Sequence, residues 1–335
     1  SELTEKLRAH GAKVFYGQSA ENIIEGIDAA VYTAAVHADN PEFAEAVKQG
    51  IPILTRAELL GQIMRNYGRS IAVAGTHGKT TTTSMLSEIL MDAKLDPTIS
   101  VGGMLDAIGG NIRVGGSDLF MTEACEYTNS FLSFFPTMEL ILNIEADHLD
   151  FFKDIDEIRD SFRRFAKLLP ADGVLIINSD IKDYEEIFKE IPCRVITVGS
   201  DAKKSHYSAA DIAFDHNACA SFTLLVDGAG TDRITLGVPG VHNVYNSLAA
   251  IAAAHELGIE NEQIKAGLLA FSGTHRRFEK KGELRGITII DDYAHHPQEI
   301  AATLSTAQNY PHREVWCVFQ PHTYTRTKAL MDDFA

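Results

Sequence analysis

The chain is poor in cysteine, has no long apolar run and lacks an excess of positive charge. Its four cysteines are scattered without a C-x-x-C pair, which is typical of small core residues in a reducing compartment. The sequence contains neither a signal peptide nor an apolar run long enough to span a membrane. We therefore expect a cytoplasmic protein without membrane insertion.

The net charge of −16 argues against a nucleic-acid or other polyanionic partner, which would need a basic face. A nucleotide is not excluded, because it needs only a few local positive groups. Of the 335 residues, 45% are hydrophobic and 23% are charged. Length and composition together indicate an ordinary globular protein of two or three domains.

The most informative stretch is GTHGKTTT at residues 75–82. It follows residues 70–74, which predict a buried strand, and precedes residues 81–93, which predict a helix. The apolar residues at helical spacing are Met85, Leu86, Ile89 and Leu90. A glycine turn at this point lets backbone N–H groups approach phosphate oxygens, and the helix N-terminus adds positive potential. We expect Lys79 to neutralise phosphate charge and the Thr80 hydroxyl to ligate Mg²⁺.

The spacing of this loop departs from the usual phosphate-loop motif. G-x-x-x-x-G-K-[ST] requires glycine at position 73, where the chain has Val73. The segment is the shorter G-x-x-G-K-T, with His77 inside it. The alternative is an ordinary glycine turn between a strand and a helix. The lysine and the three threonines at the helix start favour the phosphate loop.

Alternating strand and helix patterns predict an α/β protein whose first domain is residues 1–67. Strands are predicted at 13–17, 29–35 and 51–55, with a helix at 41–50. This order indicates a βαβ series with a parallel sheet. The first element is a helix, whereas a nucleotide-binding fold of this type begins with a strand and a glycine-rich turn.

Residues 68–271 form the predicted central domain, built around the phosphate loop. Its predicted parallel strands are 118–124, 139–145, 173–178 and 193–199. Alternating patterns over 209–236 indicate antiparallel strands at one edge of the same sheet. A third domain is predicted for 272–335, with a strand at 285–291, a helix, and a strand at 313–320 as one βαβ unit.

Acidic and histidine side chains follow two of the predicted central strands. Glu123 and Glu126 stand at the end of one, and Asp147, His148 and Asp150 stand at the end of the next. The carboxyl ends of parallel strands are where α/β sheets place ligands. Carboxylate oxygens suit Mg²⁺, and an imidazole can join them. The alternative is a solvated acidic loop with a surface histidine.

The segment PGVHNVYN places His242, Asn243 and Asn246 at the start of a predicted helix. These polar groups could hold a base or a ribose. The alternative is that Asn243 is only the N-cap of the helix.

Three further segments carry groups that suit substrate binding. THRRFE provides adjacent Arg276 and Arg277, which suit bidentate capture of a phosphate or carboxylate, or form an exposed basic turn at a domain junction. DDYAHHP provides Tyr293 and His295, and QPHTYTRT provides Arg326. Both of the latter segments follow predicted strands, so they indicate a second site facing the first. The alternative is that they supply turn and capping residues.

Six of these segments occur in the order found in the Mur ligases of peptidoglycan synthesis. They are GTHGKTTT, NIEADHLD, PGVHNVYN, THRRFE, DDYAHHP and QPHTYTRT. The pair GTHGKT and DDYAHHP is more specific than a phosphate loop alone. The chain is therefore similar to this family over nearly its whole length. It resembles most the branch that adds L-alanine.

The resemblance implies an α/β fold of three-domain Mur ligase architecture. A partial Rossmann-like N-terminal domain that binds the UDP-linked substrate precedes a central P-loop ATPase-type domain with a mostly parallel sheet. A partial Rossmann-like C-terminal domain that binds the amino acid follows. The family's first domain begins with a strand and a glycine-rich loop, and its third domain continues past the position of Ala335. We therefore expect a fragment that binds ATP better than it turns it over.

The resemblance also implies roles for individual residues. The ATP-binding residues are Gly75, Thr76, His77, Gly78, Lys79, Thr80, Thr81, His242, Asn243, Asn246 and Arg276, with Arg277 as the alternative to Arg276. The Mg²⁺ ligands are Thr80, Glu123 and His148, and the amino-acid substrate is received by Tyr293, His295 and Arg326. Lys79, His148 and His295 are the implied catalytic residues. Thr323 departs from the arginine of some members, and Cys125 and Tyr127 alter the acidic motif after Glu123.

The implied reaction is ATP-dependent ligation of L-alanine to the carboxylate of UDP-N-acetylmuramate. It passes through an acyl phosphate and yields ADP and phosphate, with ATP and Mg²⁺ required and a monomer or homodimer expected. One alternative is the ligase that recycles murein tripeptide, or another Mur or folylpolyglutamate-type ligase. Outside this class, the alternative is a nucleotide-binding ATPase without ligase activity.

Overall fold

The computed structural model describes residues 2–33, 35–149 and 151–334. The chain divides into two compact units, Ser1–Ile63 and Met64–Ala335. No helix in the described part of the chain is both long and apolar enough to cross a membrane.

The helices of the described residues are α1 (Glu2–Ala9), α2 (Pro41–Lys48), α3 (Arg56–Met64), α4 (Lys79–Asp92), α5 (Ile155–Ala166), α6 (Glu185–Phe188), α7 (Val241–Glu256), α8 (Asn261–Ala270), α9 (Pro297–Asn309) and α10 (Tyr324–Ala329). The strands are β1 (Ala30–Tyr32), β2 (Ile53–Thr55), β3 (Arg69–Ala74), β4 (Thr98–Leu105), β5 (Gly110–Arg113), β6 (Leu119–Ala124), β7 (Met138–Ile141), β8 (Val174–Asn178), β9 (Arg194–Val198), β10 (Tyr207–Phe214), β11 (Cys219–Val226), β12 (Ala229–Pro239), β13 (Glu279–Leu284) and β14 (Ile287–Asp291).

The first unit contains a parallel pair of strands, β1 and β2, joined through α2. Helix α2 begins where Asn40 accepts hydrogen bonds from the next two backbone N–H groups and Pro41 occupies the first turn. The predicted strand at 13–17 is wrong, because those residues pair with no described strand. Its aromatic residues Phe15 and Tyr16 are exposed, so a short apolar run alone does not form a strand without a neighbouring backbone.

The second unit is built on a sheet in which ten strands of the described chain pair. Their order is β12-β11-β10-β9-β8-β7-β3-β6-β4-β5. The strands from β10 to β4 in that order pair in parallel, whereas β5, β11 and β12 are antiparallel at the two edges. The predicted, mostly parallel central sheet with antiparallel edge strands is confirmed.

Helices α4, α7 and α8 cover one face of this sheet and form its main core. The predicted apolar positions of α4 are fully buried there, with alternate residues of β3, β6 and β7 below them. Helix α8 lies so close to α4 that a Cβ at Gly267 would be 2.6 Å from the Cα of Ile89. Only glycine permits that approach.

The third predicted domain differs from the expected βαβ unit. Strand β14 pairs antiparallel with β13 as a hairpin, and α9 follows. The predicted strand at 313–320 is wrong: no strand forms there in the described chain, and Trp316 and Val318 are 86% and 99% exposed. Apolar and β-branched residues favour a strand only when a paired neighbour and a covered face are present.

The topology brings one set of loops together. Strands β6, β3 and β7 are adjacent and parallel, so their carboxyl ends meet at one edge of the sheet. The segments that follow these strands begin at Cys125, Gly75 and Leu142. This edge therefore brings together three motifs that are far apart in the sequence. They are the phosphate-loop motif, the acidic motif of Glu123 and Glu126, and the histidine motif of Asp147 and His148.

Candidate active site

The phosphate-loop motif forms a tight turn between β3 and α4. Gly78 lies in the left-handed region at φ 81° immediately before the helix. A Cβ at Gly78 would be 2.5 Å from Asn246 Oδ1, and one at Gly75 would be 3.0 Å from Leu142 Cβ. The two glycines are therefore required by close neighbours as well as by backbone conformation.

Lys79 is the first residue of α4, and its ammonium group turns back over the loop. It donates hydrogen bonds to the carbonyl oxygens of Gly75 and Thr76, the latter at 3.2 Å. Its Nζ also lies 3.1 Å from Glu126 Oε2. Burial lowers the pKa of Lys79, but the acidic side chains around it, Glu126 above all, together outweigh burial and raise that pKa above its usual value. Lys79 is therefore a buried cation at the loop.

Thr80 and Glu123 meet at the start of α4 and the end of β6. The Thr80 hydroxyl donates to Glu123 Oε2 at 3.1 Å. The other carboxylate oxygen of Glu123 accepts a hydrogen bond from the backbone N–H of Gly102. A hydroxyl and a carboxylate in contact beside a phosphate loop are the hard oxygen donors that Mg²⁺ prefers.

His148 lies against Glu126 and Asp147. Its Nε2 is 3.9 Å from Glu126 Oε1 and 3.7 Å from Asp147 Oδ2. Burial, together with the nearby Lys79 and Arg326, lowers the pKa of His148, although the two carboxylates raise it. Among the described residues, the buried Glu126 Oε1 has no hydrogen-bond donor. Asp150, the other acidic candidate here, lies outside the described residues.

The described residues contain no group of three or more His, Cys, Asp or Glu side chains arranged to hold a metal ion. Of the three predicted Mg²⁺ ligands, Thr80 and Glu123 are in contact. His148 lies with Glu126 and Asp147 instead. The structure thus pairs two of the three predicted ligands.

A cavity of about 480 Å³ adjoins the phosphate loop. Predicted ATP-binding residues that line it are His77, Gly78, Thr80, Thr81, His242, Asn243 and Asn246. Thr76 is instead turned toward the neighbouring loop, where its hydroxyl accepts a hydrogen bond from the Glu145 N–H at 2.9 Å. The cavity therefore joins two predicted nucleotide segments that are about 160 residues apart in the sequence.

The first turn of α7 supplies a fixed polar edge to this cavity. Asn246 Nδ2 donates to Asn243 Oδ1 at 3.0 Å, and Asn243 Nδ2 donates to the Pro239 carbonyl at 2.8 Å. The buried His242 Nδ1 has no hydrogen-bond partner within the described residues, and burial lowers the pKa of His242. Asn243 makes no side-chain cap of the helix, whose N-cap is Gly240. An N-cap role alone does not account for these residues.

The two adjacent arginines face different surroundings. Arg277 lines the cavity, and its Nη1 is 3.6 Å from Glu299 Oε1. The Arg276 guanidinium lies over the ring of Tyr293, 4.8 Å from its centroid. Arg277 is thus the arginine of this pair that reaches the cavity.

The predicted amino-acid residues lie on two segments of the same unit. The rings of Tyr293 and His295 are 5.0 Å apart, and His295 Nδ1 is 2.8 Å from the Tyr293 carbonyl oxygen. Arg326 reaches Asp147, with Nε 3.1 Å from Oδ1 and Nη2 3.4 Å from Oδ2. This ion pair links α10 to the loop that carries His148. Through it, Arg326 is bound to the histidine motif.

His77 is surrounded by residues that the sequence motifs do not identify as site residues. Its backbone N–H donates to Asn143 Oδ1 at 2.7 Å. Its ring lies between Glu145, with Nε2 3.1 Å from Oε2, and Glu299, with Nδ1 3.2 Å from Oε1. The sequence does indicate a structural role for Glu299, because His296 and Glu299 have capping-box spacing at the start of α9.

Three family models match the chain in sequence order. They are the Mur ligase family catalytic domain over residues 1–68, the Mur ligase middle domain over 73–254, and the Mur ligase glutamate ligase domain over 276–335. A UDP-N-acetylmuramate–L-alanine ligase of Lachnospira eligens is 63% identical over 335 residues, which are all of this chain and 73% of that protein.

Solved structures agree with the models. A UDP-N-acetylmuramate–alanine ligase from Thermotoga maritima matches with a TM-score of 0.80 and 30% identity, over 92% of this chain and 70% of that one. A UDP-N-acetylmuramate:L-alanyl-gamma-D-glutamyl-meso-diaminopimelate ligase from Neisseria meningitides matches with a TM-score of 0.73 and 27% identity, over 82% and 88%. The predicted three-domain α/β fold class is confirmed. The chain belongs to the Mur ligase family.

Proposed function

We propose that the chain is an ATP-dependent ligase that joins L-alanine to the carboxylate of UDP-N-acetylmuramate. The observation that carries this proposal is similarity over the whole of this chain to a ligase of that name, of which the chain covers 73%, together with the GTHGKT loop facing the DDYAHHP segment within one unit. The tripeptide-recycling alternative has weaker support, since the matched structure with a tripeptide-type substrate in its name is 27% identical.

ATP would lie in the cavity beside the phosphate loop. Backbone N–H groups at the start of α4 and the ammonium of Lys79 would face its phosphates. His242, Asn243 and Asn246, which also line the cavity, would hold the base or ribose. Arg277 takes the place of Arg276 in this proposal, because Arg277 lines the cavity.

Thr80 and Glu123 fit Mg²⁺, because a hydroxyl and a carboxylate already meet there beside the phosphate loop. The bound ion would supply positive charge that stabilises phosphate oxygens. His148 is proposed as the third ligand. The unsatisfied buried oxygen of Glu126 beside it is a further oxygen donor in the same place.

The chemistry divides into two balanced steps. A muramyl carboxylate oxygen attacks the γ-phosphorus of ATP, a new P–O bond forms, and the bond to the β-phosphate oxygen breaks to release ADP. The alanine amine then attacks the acyl carbon, phosphate leaves, and the amine loses a proton to the medium. Lys79 would stabilise the charge on the transferring group throughout the first step, which is an electrostatic task.

Alanine would be received near Tyr293, His295 and Arg326. The rings of Tyr293 and His295 form one wall of this region, and the Arg326 guanidinium supplies a bidentate donor for a carboxylate. Asp147 holds that guanidinium in the structure. The segment therefore presents its arginine to the loop of His148, where the first step is proposed to occur.

The test is phosphate release from the purified chain, with UDP-N-acetylmuramate, L-alanine or Mg²⁺ omitted in turn. We expect release only when all three are present with ATP, and incorporation of alanine into the nucleotide-linked product. Turnover with murein tripeptide but not with alanine would replace the proposed substrate. ATP hydrolysis that is independent of both the acid and the amine would replace the ligase with a simple ATPase.

We also propose a cytoplasmic location, a monomer or homodimer, and the absence of a nucleic-acid partner. The net charge of −16 supports the last of these.

A further inference from the structure

We propose that Glu299 is a positioning residue for the ligase reaction. It would tie the phosphate loop, through His77, to the loop that carries Tyr293 and His295. The nucleotide and the amino-acid substrate would then be held in one arrangement. This inference rests on the proposed function of the two sites and adds a residue that couples them.

The two oxygens of Glu299 face different segments. Oε1 lies 3.2 Å from His77 Nδ1 in the phosphate loop and 3.6 Å from Arg277 Nη1 at the domain junction. Oε2 accepts hydrogen bonds from the backbone N–H groups of His295 at 3.1 Å and His296 at 3.4 Å. One buried carboxylate thus joins three segments that are far apart in the sequence.

His77 is fixed by these contacts from several sides. Its second ring nitrogen is 3.1 Å from Glu145 Oε2, and its backbone N–H is bonded to Asn143. The ring of His296 lies 4.8 Å away, centroid to centroid. Of the two carboxylates beside the His77 ring, Glu299 lies in the segment that follows DDYAHHP and Glu145 does not. Glu299 therefore makes the conformation of His77 depend on that segment.

The charge on His77 follows from the same geometry. Burial lowers the pKa of His77, but Glu145 and Glu299 together raise it to about 9. Among the described residues, His295, His296 and Arg277 also face this cluster, with His295 Nδ1 3.5 Å from Glu299 Oε2. An imidazolium at His77 places a positive charge at the wall of the cavity, in the same loop as Lys79. Loss of Glu299 would remove a support of that cation.

A purely local role for Glu299 is the competing explanation. It completes the capping box at the start of α9, where His296 is the N-cap. Loss of a helix cap lowers stability. It does not by itself make the effect of a His77 substitution on ATP binding depend on Glu299. A double-mutant cycle separates the two roles, because it measures dependence of one residue on the other.

The experiment compares ATP binding by the full chain and by Glu299→Gln, His77→Gln and the double variant. The control is Glu283→Gln, a β13 glutamate that is half-exposed and paired with Lys280 at 3.6 Å. We expect about tenfold weaker ATP binding for each single variant and about the same tenfold, not a hundredfold, for the double. A hundredfold loss in the double variant, or wild-type binding by Glu299→Gln, would overturn the proposal.

A second measurement does not depend on ATP. The His77 ring is titrated by NMR in the ligand-free chain and in Glu299→Gln. We expect the midpoint to fall by about one pH unit or more, because one of two supporting carboxylates is neutral. An unchanged midpoint would refute the coupling of Glu299 to His77. Failure of the wild-type chain to bind ATP, with a shifted midpoint, would count against the proposed function and leave the coupling standing.

Discussion

Lys79 and Glu126 form a buried ion pair in which the glutamate depends on the lysine. The Glu126 side chain is 3% exposed, and its second oxygen has no hydrogen-bond partner among the residues that the structure describes. We expect Lys79→Ala to abolish ATP-dependent phosphate release and to lower the free energy of unfolding by about 3 kcal/mol, because it leaves a buried charge unpaired. Urea unfolding monitored by circular dichroism and a phosphate-release assay measure the two effects.

The control for this prediction is Lys79→Ala combined with Glu126→Gln. Neutralising Glu126 should recover part of the lost stability and none of the phosphate release. If Lys79→Ala alone kept full activity, the role proposed for the loop would be refuted.

Gly78 and Gly228 form a matched pair of left-handed glycines. Their φ angles are 81° and 76°, but an added Cβ meets Asn246 Oδ1 at 2.5 Å in the first case and open space in the second. Alanine at either position costs about 1–2 kcal/mol of backbone energy. We expect only Gly78→Ala to lower ATP affinity as well, by about tenfold or more, because it displaces Asn246 at the cavity.

Calorimetric titration with ATP and thermal unfolding separate these effects. The expected pattern is a loss of stability in both variants and a loss of affinity in Gly78→Ala alone. Equal affinities in the two variants would show that the space around Gly78 does not matter to the site.

Strand β7 carries an unusual residue in the middle of the parallel sheet. Glu139 is fully buried, and neither of its carboxylate oxygens has a hydrogen-bond partner in the described part of the chain. Burial raises the pKa of Glu139 well above 4.5, so the folded chain retains a proton that the unfolded chain releases. The contribution of Glu139 to stability therefore falls as pH rises above about 4.5.

We expect Glu139→Leu to raise the free energy of unfolding at pH 7.5 by about 1–3 kcal/mol, because it removes an unpaired buried polar group. The gain should shrink toward pH 4.5, where the unfolded glutamate is also protonated. Urea unfolding at the two pH values measures it. A gain that is independent of pH, or a loss at pH 7.5, would contradict the assignment of a protonated carboxyl.

At the level of elements, periodicity predicted β3 and α4, since residues such as Ile89 and Leu90 repeat on one buried face. The predictions of strands at 13–17 and 313–320 are wrong, because local composition does not show whether a pairing partner exists. Glu299 was missed for a similar reason. Its spacing to His296 indicated a helix cap, whereas its contact with His77, 222 residues away, exists only in the folded chain.

At the level of the whole molecule, every proposed site residue lies within the unit Met64–Ala335. The first unit has its own parallel strand pair and helix. We expect residues 64–335, produced alone, to fold and to bind ATP with unchanged affinity, because no proposed ATP contact lies in residues 1–63. Binding of UDP-N-acetylmuramate is the property that the shorter chain should lose.

Calorimetry with each ligand on the two chain lengths is the measurement. A shorter chain that unfolds at a lower temperature and fails to bind ATP would show that the first unit supports the nucleotide site.

The phosphate loop has a counter-ion of its own. Lys79 already holds Glu126 at 3.1 Å, so we expect binding of a nucleotide at Lys79 to be an exchange of anions. The binding free energy is then the difference between two ion pairs, Lys79 with the nucleotide and Lys79 with Glu126. A weakly charged anion gains little by replacing a carboxylate. The loop should therefore discriminate by charge density, favouring a polyphosphate over sulfate or a monoester, and the released carboxylate becomes available to a divalent cation that arrives with the nucleotide.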